Sequence, residues 1–238
     1  MSVIIPTIPS RKKELERAIK SVKQQTYKNV EIIVVSEGIN SAEARNIGIE
    51  KANGDFIAFL DDDDEWLPTK LEKQVKLFNQ DTLLVGCWIE DRRFYKPYIL
   101  KSEEKVYIKE LLENFNFLST SSYIFNAKWL KHNLFDTNFP SAQEYELAIR
   151  ACKAFPVKCY PEVLVIQHKS ADQITKNWKA KKLGLKLLLK KHKTRYRGFG
   201  LWNYIVFRIK FLGLQCIYSL AQILGERIYK IILPLKMK

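Results

Sequence analysis

The chain has 238 residues, 47% of them hydrophobic and 12% aromatic, enough to bury a substantial core in one large domain or a domain with an appendage. Its formal charge of +14 is uneven: residues 1–168 hold 23 Lys/Arg against 24 Asp/Glu, and residues 169–238 hold 17 against 2. The four cysteines, Cys87, Cys152, Cys159 and Cys216, form no Cys-x-x-Cys pair, which argues against a zinc knuckle or redox motif and suits a reducing compartment.

The opening Ser2-Val3-Ile4-Ile5-Pro6 is too short for the apolar core of a signal peptide, so a cytoplasmic body is expected. Val3–Pro6, Glu31–Val35, Phe56–Leu60 and Leu83–Trp88 read as short buried strands. Between them, Leu15, Ala18, Ile19 and Val22 repeat at helical spacing, and Ala44, Ile47, Gly48 and Ala52 mark a weaker stripe. Strand alternating with helix predicts βαβ units and a mostly parallel sheet.

Four consecutive aspartates, Asp61 to Asp64, follow the third strand directly. Like charges this close raise one another's pKa and destabilise a fold unless a cation or ligand compensates. Ligands in open α/β sheets bind at the carboxyl ends of strands, where this run emerges. The functional reading is a divalent metal site that grips a substrate phosphate. The bland reading is helix capping, with Pro68 at the first helical position and Leu71, Val75 and Phe78 following at helical spacing. A helix start has use for one capping side chain and one or two acids, not for four plus Glu65.

From Asp91 to Glu113 the pattern loosens into a polar, aromatic-rich stretch. A strand is expected near Tyr123–Phe125, a helix carrying Tyr145, Ala148, Ile149 and Cys152, and a strand at Val163–Gln167. Trp66 and Trp88 read as core packing more than as pocket lining, and His132 and His192 carry no signal.

Taken in order, Ser2-Val3-Ile4-Ile5-Pro6-Thr7, Glu31–Val35, Ala44-Arg45-Asn46-Ile47-Gly48-Ile49 and Gly54–Trp66 resemble the family 2 glycosyltransferases of the GT-A fold, densely over residues 2–79 and on to about residue 170. The resemblance implies a Rossmann-like α/β domain, its mostly parallel mixed sheet flanked by helices; the lysine-rich residues beyond it read as a C-terminal helical basic tail. It implies a catalytic domain over 1–170, with a nucleotide-sugar half at 1–90 and an acceptor half at 91–170, and a separate tail at 171–238. It also implies a nucleotide-sugar donor, a glycan or lipid-linked acceptor, Mn²⁺ or Mg²⁺, and inversion at the anomeric carbon.

Residue by residue, Pro6 and Thr7 would border the nucleotide, and Asp61 and Asp63 would form the Asp-x-Asp element, with Asp63 the direct metal ligand. The run of four leaves that register open by one, so Asp62 or Asp64 are alternatives. Glu37 stands where the family has an acidic pair on the nucleobase. Arg45 reaches the base or phosphates, or else forms a solvent-facing salt bridge. Glu144 matches the position of the acidic base, although it and Glu146 are also suited to a helix N-terminus. His168 lies where the family often has a flap histidine that touches metal or diphosphate; a structural role is the alternative.

Trp178 to Lys193 reads as a basic amphipathic helix. Beyond it, Arg208, Gln215, Ser219, Gln222, Glu226 and Lys230 form one narrow polar stripe on an apolar segment that includes Phe211, Leu212, Leu214, Leu220 and Ile228. Its uncharged stretch of fifteen residues, 211–225, falls short of a membrane span. Peripheral contact with a membrane is expected, with a folded-back tail or a homodimer as alternatives, and Gly213 and Gly225 are expected to interrupt the helix. Two rivals carry different partners: a nucleotidyltransferase of related fold, or a nucleic-acid-binding protein using the tail. No nucleic-acid motif accompanies the tail, so no nucleic acid is expected.

Overall fold

A computed structural model describes residues 1–93, 97–113, 119–169, 177–198 and 200–224. The chain divides into two compact units, one of residues 1–137 and 144–170, the other of 138–143 and 171–238.

The first unit is built on a mixed sheet. Its strands are β1 (Ser2–Pro6), β2 (Glu31–Val35), β3 (Phe56–Phe59), β4 (Asp64–Trp66), β5 (Leu84–Asp91), β6 (Tyr98–Leu100), β7 (Lys105–Val106), β8 (Ile124–Asn126) and β9 (Val157–Gln167). Along the sheet they run β2-β1-β3-β8-β5-β9-β4, with β6 on β5 and β7 on β9. β2, β1, β3, β5 and β9 point one way; β8 and β4 run against them.

Apolar burial holds this frame. Val3, Ile4 and Ile5 of β1 are fully buried between neighbours on both sides, each contributing roughly 1.5–3 kcal/mol. Helix α1 (Lys12–Lys23) lays its expected stripe against the sheet through Ala18 and Val22. Helix α2 (Ser41–Lys51) starts at Asn40, whose side-chain oxygen accepts the Ala42 and Glu43 N–H groups. Its Gly48 rests on Ile4, and a Cβ there would overlap that side chain.

Three sequence expectations change here. Pro68 does not open a helix: residues 64–66 are captured as β4 by β9, and α3 (Lys70–Val75) starts only afterwards. The aspartates therefore cap nothing. The fourth strand extends to Asp91, and the loose stretch holds β6, β7 and α4 (Ile108–Glu113). The last strand begins at Val157, because Pro161 and Glu162 bulge out of the β5 ladder and pairing resumes on both sides. Proline, with no N–H to give, is tolerated at such a bulge.

Helices α5 (Ala127–Lys131) and α6 (Gln143–Cys152) complete the elements before the tail. The second unit contains α7 (Trp178–Lys191), α8 (Lys193–Gly198) and α9 (Leu201–Leu224). Gly213 lies inside α9 without interrupting it, contrary to expectation. Gly225, Glu226, Ile228 and Lys230 lie outside the described residues. No described helix is long and apolar enough to cross a membrane.

Candidate active site

β1 and β3 end side by side, so Pro6-Thr7 and the aspartate run leave the sheet together. The run does not present four equivalent carboxylates. Asp62 and Asp64 turn inward, each 3% exposed, whereas the side chains of Asp61 and Asp63 keep 31% and 18% exposure.

Each inward carboxylate has a dedicated shell. Asp62 accepts from Thr7 Oγ1 and from Arg11 Nη1, both at 2.8 Å. Asp64 accepts the Ser121 hydroxyl at 2.5 Å and the Gln167 amide at 3.2 Å. Burial, together with the charges of Asp61 and Asp63, pushes the Asp64 carboxyl well above the usual carboxylate range. Ser121 is fully buried and also accepts the Asp61 backbone N–H at 3.1 Å, while its carbonyl takes the Trp66 indole N–H at 2.7 Å. Trp66 is thus a buried strut, in keeping with its expected core role.

Arginines meet the outward pair. Arg45 Nη2 lies 2.6 Å from Asp61 Oδ1, and Arg11 Nη1 reaches 3.7 Å from Asp63 Oδ2. Arg17 donates to the Asp63 carbonyl at 2.6 Å. Arg45 is 6% exposed with its guanidinium over the Phe135 ring, so its salt bridge is not the solvent-facing one of the sequence alternative. Its Nε is buried without a hydrogen-bond partner, as is that of Arg17.

His168 follows β9. It comes directly after Gln167, which pairs with Asp64, and its Nε2 lies 2.9 Å from Glu65 Oε2. Glu37 stands apart from this cluster. It is exposed beyond β2, and hydrogen bonding, chiefly to backbone with Lys51 adding at 3.4 Å, holds its carboxyl below the usual range. Gly38 turns the chain there with φ of 109°, a backbone that favours glycine.

Glu144 is half-buried in the first turn of α6, an element distinct from the strand and turn that carry the aspartates. Its neighbour Glu146 is fully buried and receives Arg150 Nε at 2.9 Å, one helical turn on. The two acids of that helix therefore have different surroundings.

Sequence reasoning missed Arg11, Arg17, Ser121 and Gln167. Arg11 occupies the N-cap position of α1 and Arg17 lies on that helix, and the site partners of all four are distant in the chain. An excess of carboxylates with no nearby compensating cation was the one usable signal.

Among the described residues no three His, Cys, Asp or Glu side chains converge as a ready metal cage. The donor set still fits Mg²⁺ or Mn²⁺, since such ions take one or two carboxylates and complete their shell with water and substrate phosphates. Asp61 and Asp63 supply hard oxygen donors at the site surface.

The model of glycosyl transferase family 2 matches residues 2–40 and 37–139, more than half of the chain. The chain belongs to glycosyl transferase family 2. Among its relatives, the amylovoran biosynthesis glycosyltransferase AmsB of Erwinia amylovora is 30% identical over 159 residues, covering 61% of this chain and 53% of that protein. The uncharacterized glycosyltransferase RC0461 of Rickettsia conorii is 26% identical over 212 residues, covering 74% of this chain and 35% of that one. The chain thus spans about half or less of these curated relatives. The mannosyltransferase PcManGT of Pyrobaculum calidifontis, solved with GDP-Man and Mn²⁺, superposes with a TM-score of 0.66 at 16% identity, over 98% of this chain and 78% of that one. That likeness establishes the fold: this family member has the GT-A arrangement of an enzyme family.

Proposed function

We propose that this family 2 chain transfers a sugar from a nucleoside-diphosphate donor to a hydroxyl of a glycan or lipid-linked acceptor. One observation carries the reading: the aspartate run is split into a braced inner pair and an outer pair that reaches the site surface. Structural capping gives no reason for such a split. A site for an anionic ligand with a divalent cation does.

In this reading Asp61 and Asp63 are the Asp-x-Asp pair, and Asp63 is the direct metal ligand. Asp62 holds the pair in register, and His168, next to the Gln167 that pairs with Asp64, is a further candidate. A hard cation so held neutralises charge on the departing diphosphate. Pro6 and Thr7 border the nucleotide. Glu37 lies at the open end of β2, available to a nucleobase. Arg11 and Arg45, which contact Asp62 and Asp61, would offer their guanidinium groups to the phosphate oxygens of a bound diphosphate.

Glu144 takes the proton from the acceptor hydroxyl. The new bond joins that oxygen to the anomeric carbon, the bond to the diphosphate oxygen breaks on the opposite side, and the configuration inverts. GDP-Man and Mn²⁺ in PcManGT support the donor class and the cation, and AmsB supports a polysaccharide context. The family match favours sugar transfer over nucleotidyl transfer. Residues 171–238 are read as a peripheral membrane segment that brings the domain to its acceptor.

The test is donor hydrolysis and transfer in the presence of Mn²⁺. Release of nucleoside diphosphate from one nucleotide sugar, lost in Asp63→Ala and in chelator, is expected. Turnover untouched by either would refute the site assignment.

A further inference from the structure

The second unit has a feature that sugar transfer does not use. Three polar positions of α9 lie along the side of the helix that borders α7. Arg208, Gln215 and Ser219 turn toward α7, where Lys182 Nζ meets Ser219 Oγ at 3.0 Å. Between the helices lies a groove of about 530 Å³ into which α7 sends Lys179, Lys182 and Lys186 and α9 sends Arg208. The lysines recur at i, i+3 and i+7, so all three share one helix face. Leu183, Phe211 and Leu212 supply apolar wall.

With Phe211 and Leu214 buried on its inner side, α9 leaves a second apolar stripe outside. Ile205, Ile209, Leu212, Cys216 and Leu220 recur every three or four residues, and all are exposed, Ile209 at 62% and Leu212 at 52%. Leu183 of α7 adds a further 49%-exposed side chain next to the same groove. Such a stripe is costly in water and marks a surface that something covers.

We infer that the α7–α9 groove receives the phosphate of an anionic phospholipid headgroup while the outer stripe of α9 lies in the acyl boundary of the same leaflet. Charge complementarity selects this occupant. Four cations line one groove, and residues 169–238 carry 17 Lys/Arg against 2 Asp/Glu, so a second copy would bring like charges together. A nucleic acid would leave the apolar stripe uncovered. An anionic leaflet satisfies both surfaces at once, and a helix that cannot span can still lie in the interface. The inference rests on reading 171–238 as a membrane segment and is independent of sugar transfer.

The test is sedimentation of the full chain with vesicles of phosphatidylcholine alone and of phosphatidylcholine mixed with phosphatidylglycerol. Binding to the anionic vesicles only is expected. Replacing Lys179, Lys186 and Arg208 together by Gln should weaken it roughly a hundredfold, at about fivefold per basic residue near the surface. Ile209→Gln with Leu212→Gln should weaken it as well, in low and high salt alike, because apolar burial is not screened. Circular dichroism and urea unfolding verify that each variant is folded. Anionic binding that survives the triple change would overturn the groove while leaving the membrane reading in place. No vesicle binding by wild type would overturn both, whether the chain then pairs with itself or binds RNA.

Discussion

Ser121 Oγ donates to Asp64 Oδ2 at 2.5 Å while accepting the backbone N–H of Asp61 at 3.1 Å. One fully buried hydroxyl thereby fixes both ends of the aspartate run. Ser121→Ala leaves a buried N–H without its acceptor and Asp64 with Gln167 alone. A loss of about 1–3 kcal/mol in urea-unfolding free energy is expected, together with weaker metal-dependent nucleotide binding. Unchanged binding would remove Ser121 from the site.

The inner and outer aspartates should separate by phenotype. Asp62→Ala removes the 2.8 Å carboxylate contact of Arg11 and the acceptor of Thr7 Oγ1 at a buried position, and should cost about 1–3 kcal/mol in urea-unfolding free energy. Asp63→Ala, at a more exposed position, should cost less in the same urea titration. Equal costs would contradict the split.

Lys70 is fully buried above the Trp66 ring at 4.0 Å, its Nζ without a hydrogen bond, and burial depresses its pKa from 10.5 to about 8. Below pH 8 both folded and unfolded chains carry this proton, and the burial penalty is felt in full. Between about 8 and 10.5 the unfolded chain binds more protons, so this group's contribution to stability improves as pH rises. Lys70→Met should stabilise the protein at pH 7 by an amount on the order of 3 kcal/mol, an advantage that fades toward pH 10.5. A gain independent of pH would show that packing, not charge, is responsible.

Glu144 and Glu146 offer a paired comparison on one helix. Glu144→Gln should lower turnover by roughly 10²–10⁴-fold with unfolding unchanged. Glu146→Gln breaks the buried Arg150 pair and should lower the urea midpoint while leaving turnover per folded molecule intact. The reverse pattern would assign the proton transfer elsewhere.

Most of the frame was legible because buried strands and amphipathic helices write their period into the chain. Val3–Pro6, Glu31–Val35 and the α1 stripe needed only local pattern, and the structure has them at nearly the same bounds. β4 was not legible. Asp64-Glu65-Trp66 has no strand pattern of its own and becomes a strand only because β9 pairs with it. The first half of β9 was hidden by Pro161, which reads as a breaker and is in fact a bulge. At the site, the chain order revealed that acids gather after β3. It did not reveal that Ser121 and Gln167, 60 and 103 residues from their partners, decide which acids turn inward. Side-chain partners so remote in sequence leave no periodic trace.

The most direct measurement is calorimetric titration of a panel of nucleotides and nucleotide sugars, with and without Mn²⁺, into wild type and Asp63→Ala. One nucleoside diphosphate and its sugar are expected to bind wild type only when Mn²⁺ is present, and Asp63→Ala, still folded, is expected to lose this binding. Binding of equal strength with and without the metal, or retained in Asp63→Ala, would contradict the site assignment.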